Sequence, residues 1–258
     1  MKQLNIFDPF KKFFNTFLFL FTGVIGVSSQ DIVQQANEAY TKGEFTQAID
    51  LYQQAVEEYG LSADACYNIG NCYYRINKIA PSILYYERAL LLSPGDEDIR
   101  FNLEIAKLKT VDKIEPVGEF FLVDRYNAVL NLCNTNRWSE IAFVCFILFI
   151  GSLVLFFFTR KLFIKKLGFY SGLVLLTLVI LTNVFAYNQK KKFIDRKTAI
   201  VFAATVNIKS SPDNSGTDLF ILHEGAKVKI KNQLGNWKEI ETADGNVGWI
   251  KSEDIEII

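Results

Sequence analysis

Two long uncharged stretches limit what this chain can fold into. Ile141 to Phe158 (IAFVCFILFIGSLVLFFF) is eighteen residues without a charge, and Leu167 to Tyr187 (LGFYSGLVLLTLVILTNVFAY) is a second such run. With Trp138 and Ser139 leading in, the first is long enough to cross a hydrocarbon core as a helix, as is the second. Only eight residues, TRKLFIKK, separate them, so the pair reads as a membrane hairpin that returns the chain to the side it came from. Trp138, Tyr170 and Tyr187 stand where interfacial aromatics are expected. Neither run contains Asp, Glu, Lys, Arg or His, which argues against an ion or proton path through the membrane. Gly151 with Ser152, and Gly168 with Ser171 and Gly172, are small enough for close helix packing.

The N-terminus bears on the compartment. Lys2, Lys11 and Lys12 precede an apolar stretch from Phe13 to Val27, and Val27, Ser28 and Ser29 are small residues ahead of Gln30. That is the order of an export signal, expected over 1–29; an uncleaved anchor helix is the alternative, and either places the chain beyond it outside the cytoplasm. The hairpin loop carries Arg160, Lys161, Lys165 and Lys166, which favours a cytoplasmic loop. Lys190, Lys191, Lys192, Arg196 and Lys197 after the second span pull the other way. With the signal deciding, the expected location is the inner membrane, with both flanking regions periplasmic.

Composition narrows the chemistry. Twenty-eight basic residues balance twenty-eight acidic ones, so nucleic acid is not expected as a partner. The four cysteines form no disulfide framework, and His223 is the single histidine. A zinc site or a histidine-based catalytic set has almost nothing to be built from, so no catalytic residue, cofactor or metal is expected and the protein reads as a non-enzyme. Asp96, Glu97 and Asp98 read as the acidic start of a helix.

Between Asp31 and Thr110 the sequence repeats with a period of 34. Ala36, Ala39, Tyr40, Gly43, Phe45, Ala48, Tyr52 and Ala55 recur as Gly70, Tyr73, Tyr74, Asn77, Ile79, Ser82, Tyr86 and Ala89. This is the spacing of a helix-turn-helix unit with small residues where its helices touch. Ala36 to Val56 and Asn68 to Pro94 resemble tetratricopeptide repeats, and Asp96 to Thr110 continues as a third first helix without a partner. In arrays of that kind the first helices line the concave face. The resemblance therefore makes Asn37, Tyr40, Tyr67, Asn71, Tyr74 and Phe101 the candidate protein-binding residues; tyrosine and asparagine on a groove suit an extended peptide or a partner helix. For each aromatic the other reading is inter-repeat core. Members that clamp a C-terminal carboxylate carry a basic residue where Tyr67 stands, so that mode is not expected.

Residues 111–137 crowd Phe120, Phe121, Leu122, Tyr126, Val129, Leu130 and Leu132 just ahead of the first span. They read either as a helix lying at the membrane interface or as a last hydrophobic helix packed back on the repeats. The tail, 198–258, alternates apolar and polar residues between turns at Pro212 to Gly216, Gly235-Asn236 and Asp244-Gly245. VNIKSSPD, LHEGAKVKI, NWKEI and GNVGWIKSEDI resemble the bacterial Src-homology-3 (SH3) type domain. Trp249 is expected in its core against Val228 and Ile230, and Trp237 beside it is the candidate ligand-binding residue.

The expected class is thus a multidomain membrane protein: an all-α repeat array at 30–110, a connector, spans at 138–158 and 167–187 around a loop at 159–166, a basic linker at 188–197, and an all-β SH3-like barrel. That order of parts, with a DxIE-like connector at Asp112 to Glu115, resembles the BatE-like tetratricopeptide membrane proteins of the Bacteroides aerotolerance operon. The resemblance implies a scaffold in an oxidative-stress-related complex, with von Willebrand factor A domain membrane proteins and a MoxR-like ATPase as partners. A wall- or peptidoglycan-binding module led by the barrel is the alternative.

Overall fold

The computed structural model describes residues 28–114, 118 and 121–258, and the chain divides into two compact units, Met1–Leu61 and Ser62–Ile258. The expected export signal up to Val27 lies outside the described residues, as do Glu115 of the connector motif and Phe120.

In the first unit, α1 (Ser28–Lys42) and α2 (Phe45–Tyr59) form a helical pair. Ala36, Ala39, Ala48 and Ala55 are buried along their contact, which lets the backbones approach around Ile49 and Tyr52. The link is Gly43-Glu44, and Gly43 takes φ +81°, a left-handed conformation open to glycine without penalty.

The second unit opens on the same motif. Ser62 caps α3 (Ala63–Arg75) by accepting from the Ala65 amide at 3.1 Å. Its partner α4 (Ile79–Leu92) follows a turn in which Asn77, 34 residues after Gly43, adopts φ +60°; asparagine tolerates that region better than other side chains. The two remaining departures from the repeat pattern also fit. Pro81 lies in the first turn of α4, where no intrahelical donor is lost. Ser82 is fully buried, yet its hydroxyl donates to the Gly70 carbonyl at 2.9 Å. Gly70 is obligatory because a Cβ there would stand 2.7 Å from the Tyr86 ring. A third helix, α5 (Glu97–Lys107), is capped by the Asp96 carboxylate, which accepts from the Asp98 and Ile99 amides.

Past the connector come α6 (Phe121–Leu130), α7 (Thr135–Phe158) and α8 (Leu162–Asp195). The last two are long and apolar enough to cross a membrane, with mean hydropathy 3.0 and 2.0 in their best windows. Only 11 % and 17 % of those windows is buried inside the protein, whereas the core helix of a soluble domain would be covered on most sides. Gly168 and Gly172 lie against α7, where a Cβ would come within 2.9 Å of the Ser152 carbonyl and hydroxyl oxygens respectively. Ser152, Gly168 and Gly172 are thus consumed in packing the hairpin on itself, while Gly151 is exposed. The turn between the helices is three residues, Thr159–Lys161, rather than the expected 159–166, and α8 runs through most of the expected linker at 188–197. Charge marks where a helix leaves hydrocarbon, and lysine does not stop the helix itself. It ends at Arg196, which turns left-handed at φ +38°.

After Arg196 and Lys197 the chain enters a seven-stranded antiparallel sheet of order β3-β2-β6-β5-β4-β1-β7. The strands are β1 (Thr198–Val201), β2 (Thr205–Lys209), β3 (Asp218–His223), β4 (Lys227–Leu234), β5 (Trp237–Glu241), β6 (Val247–Lys251) and β7 (Ile255–Ile257). Ala199, Val201, Ile208, Val228, Ile240 and Ile250 close its core. Trp249 is not among them. It is half-buried and pairs with Glu239 and Lys209 on the other face. Alternation explains the correction: Gly248 and Ile250 point inward, so Trp249 between them points out. Gly248 takes the inward place because Ile208 Cγ2 would lie 2.4 Å from any Cβ there.

Candidate functional site

Asparagine and tyrosine do form ladders on the repeats, but within each repeat rather than toward a ligand. The Asn37 side-chain oxygen accepts from the Tyr52 hydroxyl, and Asn71 accepts from Tyr86 at 2.6 Å, in both cases across fifteen residues from first helix to second. The tyrosines are 1 % and 2 % exposed, so each amide supplies an acceptor to a phenol buried in the core. Tyr40 meets Phe45 edge-on at 5.4 Å. Asn37 and Tyr40 belong to the first unit; Tyr67, Asn71, Tyr74 and Phe101 belong to the second.

In the second unit Asn102 of α5 ties the groove together. Its amide nitrogen donates to the Tyr67 hydroxyl at 2.8 Å and to the Asn71 oxygen at 3.1 Å. Tyr67 also lies 6.0 Å from the Tyr86 ring, and the Lys109 ammonium sits 4.0 Å above the Tyr74 ring. Three of the four candidates here are therefore half-buried members of the repeat's own network. Phe101 differs, being 66 % exposed, and Leu108 at the C-terminal cap of α5 is 75 % exposed. With half-buried Ile105 they form an i, i+4, i+7 apolar stripe. Among the described residues no second helix of a third repeat follows α5 to cover it; the chain turns into the connector instead. Residues 63–96 match the tetratricopeptide repeat.

The repeat is joined to the sheet domain. Ile200 of β1 and Ile258 share a buried cluster with Ile79, Ile83 and Leu84 of α4. Around that cluster Glu87, 7 % exposed, receives Lys227 at 2.6 Å and Lys107 at 3.8 Å, so the buried carboxylate is compensated from both sides. Arg88 reaches Glu256 at 3.0 Å and the Ile257 carbonyl at 2.7 Å. The connector completes the joint. Asp112 accepts from the His223 amide at 2.7 Å and faces its Nδ1 at 2.8 Å, while Ile114 packs on the sheet core. The chain's single histidine is thereby placed in a joint between connector and sheet.

On the sheet, Trp237 is half-buried on the face that also carries Trp249, Glu239 and Glu241. Leu234, paired with Trp237 across β4 and β5, is 60 % exposed. Lys231, with Lys229 behind it, holds the Glu241 carboxyl below the usual carboxylate range. Residues 204–256 match the bacterial SH3 domain. A comparison with curated proteins finds no match. The tetratricopeptide repeat and the SH3 domain are modules of protein–protein or cell-wall binding.

Two thiols in the repeat are not reactive groups. Cys66 and Cys72 are fully buried, and burial pushes both up to about 11, far from the thiolate that reactivity requires. Sequence reasoning missed Asn102 and the whole joint. Asn102 carried a signal in standing one residue past the position equivalent to Tyr67. The joint carried none, since its partners are 140 and 168 residues apart.

Proposed function

We propose that the protein is a non-enzymatic, membrane-anchored scaffold that takes partner proteins on its repeat, beside the membrane. The observation that carries this reading is the uncovered apolar stripe Phe101–Ile105–Leu108 alongside the bonded Tyr67–Asn102–Asn71 rim. An apolar stripe rimmed by preset polar groups suits a partner's helix laid in a groove. The helical hairpin inserts in the inner membrane with repeats and SH3 domain periplasmic, a placement supported by the signal-like Lys2 to Ser29 segment. Contact between Ile200 and the repeat core supports both flanks lying on one side, as a two-span hairpin requires.

The order of parts supports an aerotolerance or oxidative-stress complex of the BatE type, with von Willebrand factor A domain membrane proteins of the same operon as the direct partners and a MoxR-like ATPase beyond them. Co-expression with such a partner and co-purification from solubilised membranes tests it. Two buried anchors at an interface account for roughly 3 kcal/mol, so Phe101→Ala with Leu108→Ala should weaken capture by about a hundredfold. Both side chains are exposed, so helical content should not change; undiminished capture would place the partner elsewhere.

The second reading, wall binding through the SH3 domain, is favoured by the shared face of Trp237 and Trp249. Against it stands reach: only Arg196 and Lys197 separate α8 from β1, which keeps the domain close to the membrane. Sedimentation of the purified full chain with cell-wall sacculi would support the second reading; a scaffold has no reason to sediment with wall.

A further inference from the structure

The end of the hairpin nearest the repeat carries a surface that partner capture does not use. The last turns of α8 are split lengthwise. Ala186 and Gln189 are buried, and the Gln189 amide donates to the Leu130 carbonyl at 2.8 Å. Tyr187, Lys190, Lys191 and Ile194, spaced i, i+3, i+4, i+7, form the opposite face and are all exposed. Lys190 and Lys191 make no ion pair among the described residues. Against the inner side lies α6, fastened by Asn188 donating to the Tyr126 hydroxyl at 2.6 Å and by Phe185 between Tyr126 and Trp138. Yet α6 leaves Phe121, Leu122 and Val129 exposed at 62 %, 63 % and 42 %. The Leu130 carbonyl at the end of α6 takes the Gln189 amide, so Val129 stands next to the turn of α8 that carries the lysines, and Phe121 and Leu122 lie further back on the same helix.

Charge supplies the second half of the argument. Residues 188–197 hold five cations and one acid. With the head periplasmic, cations at this end oppose the insertion signal of the loop lysines, so topology does not account for them. Their complement at a bilayer surface is lipid phosphate. Tyrosine, a lysine pair and an apolar helix fastened beside them make the pattern of an interfacial surface.

We propose that α6 and the Tyr187–Ile194 face of α8 bind anionic phospholipid headgroups, with Phe121, Leu122 and Val129 in the acyl boundary and Lys190 and Lys191 on the phosphates. The proposal rests on the membrane-hairpin reading. It is tested on the full chain in mild detergent by titrating phosphatidylglycerol or phosphatidylcholine and counting retained lipids by native mass spectrometry. Two lysines at an anionic surface correspond to a preference for phosphatidylglycerol of roughly thirtyfold. Lys190→Gln with Lys191→Gln should bring the two lipids within about twofold of each other, by the same relation. Lys190→Arg with Lys191→Arg should keep the preference, as should Lys165→Gln with Lys166→Gln at the other end of the hairpin. Equal retention of both lipids by the unaltered chain overturns the proposal, and so does a preference that follows Lys165 and Lys166 instead. Release of the chain from membranes by alkaline carbonate would overturn the membrane reading itself, an outcome separate from either.

Discussion

Ile200→Ala tests whether the repeat and the SH3 domain are one cooperative body. Ile200 belongs to strand β1, but its fully buried side chain lies in the cluster of Ile83, Leu84 and Leu103. Truncating a buried isoleucine to alanine costs about 2 to 5 kcal/mol, the transfer term plus the cavity left behind. If α4 opens only when this shared core opens, its amides should exchange faster by that same free energy, roughly thirty- to several-thousandfold. Hydrogen exchange of the full chain in detergent, read on peptides covering 79–92, measures it. Ile221→Ala is the matched control, because Ile221 is a sheet residue 53 % exposed and outside that cluster. Faster exchange in β1 with α4 unchanged would refute the shared core and reduce the joint to a surface contact.

Three further outcomes follow from single side chains. Asn71→Ala should destabilise the second unit by about 1 to 3 kcal/mol, the cost of removing the acceptor of the buried Tyr86 hydroxyl and of the Asn102 amide, whereas Tyr86→Phe with Asn71→Ala should recover part of that loss in chemical denaturation. Ile250→Ala should cost about 2 to 5 kcal/mol and Trp249→Ala clearly less, since the indole is only half-buried; equal shifts in SH3-domain unfolding would return Trp249 to the core. Cys66 and Cys72 should resist maleimide at pH 8 until the chain is unfolded. Because burial raises both thiols from 9.0 to about 11, the folded state holds their protons longer. Their contribution is therefore intact below pH 9 and lost as pH rises from 9 to 11, which a pH series of unfolding midpoints would show as a decline confined to that window and absent in Cys66→Ala with Cys72→Ala.

Local pattern was legible where one physical rule acted alone. The 34-residue period located the paired helices, with Asn77 at the place of the turn residue Gly43, because close helix packing demands small residues at fixed places. Two uncharged runs located α7 and α8. The first run and α7 both end at Phe158, whereas α8 continues past the second run through Lys190–Lys192 to Asp195, because charge limits hydrocarbon burial and not the helix. Trp249 was misplaced because size alone suggested core; the parity of β6, fixed by Gly248 against Ile208, decides it. Asn71 was placed on the groove by its position in a first helix, and its bonds to Tyr86 and Asn102, fifteen and thirty-one residues away, are not visible in that pattern. Glu87 with Lys227, Arg88 with Glu256 and Asp112 with His223 depend on how two modules dock, and no local periodicity reports that.

Topology carries the account, because a hairpin whose two flanks join in one head can serve partners on only one side of the membrane. Single cysteines at Glu58, Lys165 and Asn214, in a chain whose native thiols are replaced, can be probed in intact cells with a membrane-impermeant maleimide. The account predicts labelling at Glu58 and Asn214 and none at Lys165 until the membrane is opened. Labelling at Lys165 with silence at the other two would turn the head to the cytoplasm, and labelling of Glu58 and Asn214 on opposite sides would contradict the hairpin and the joined head together.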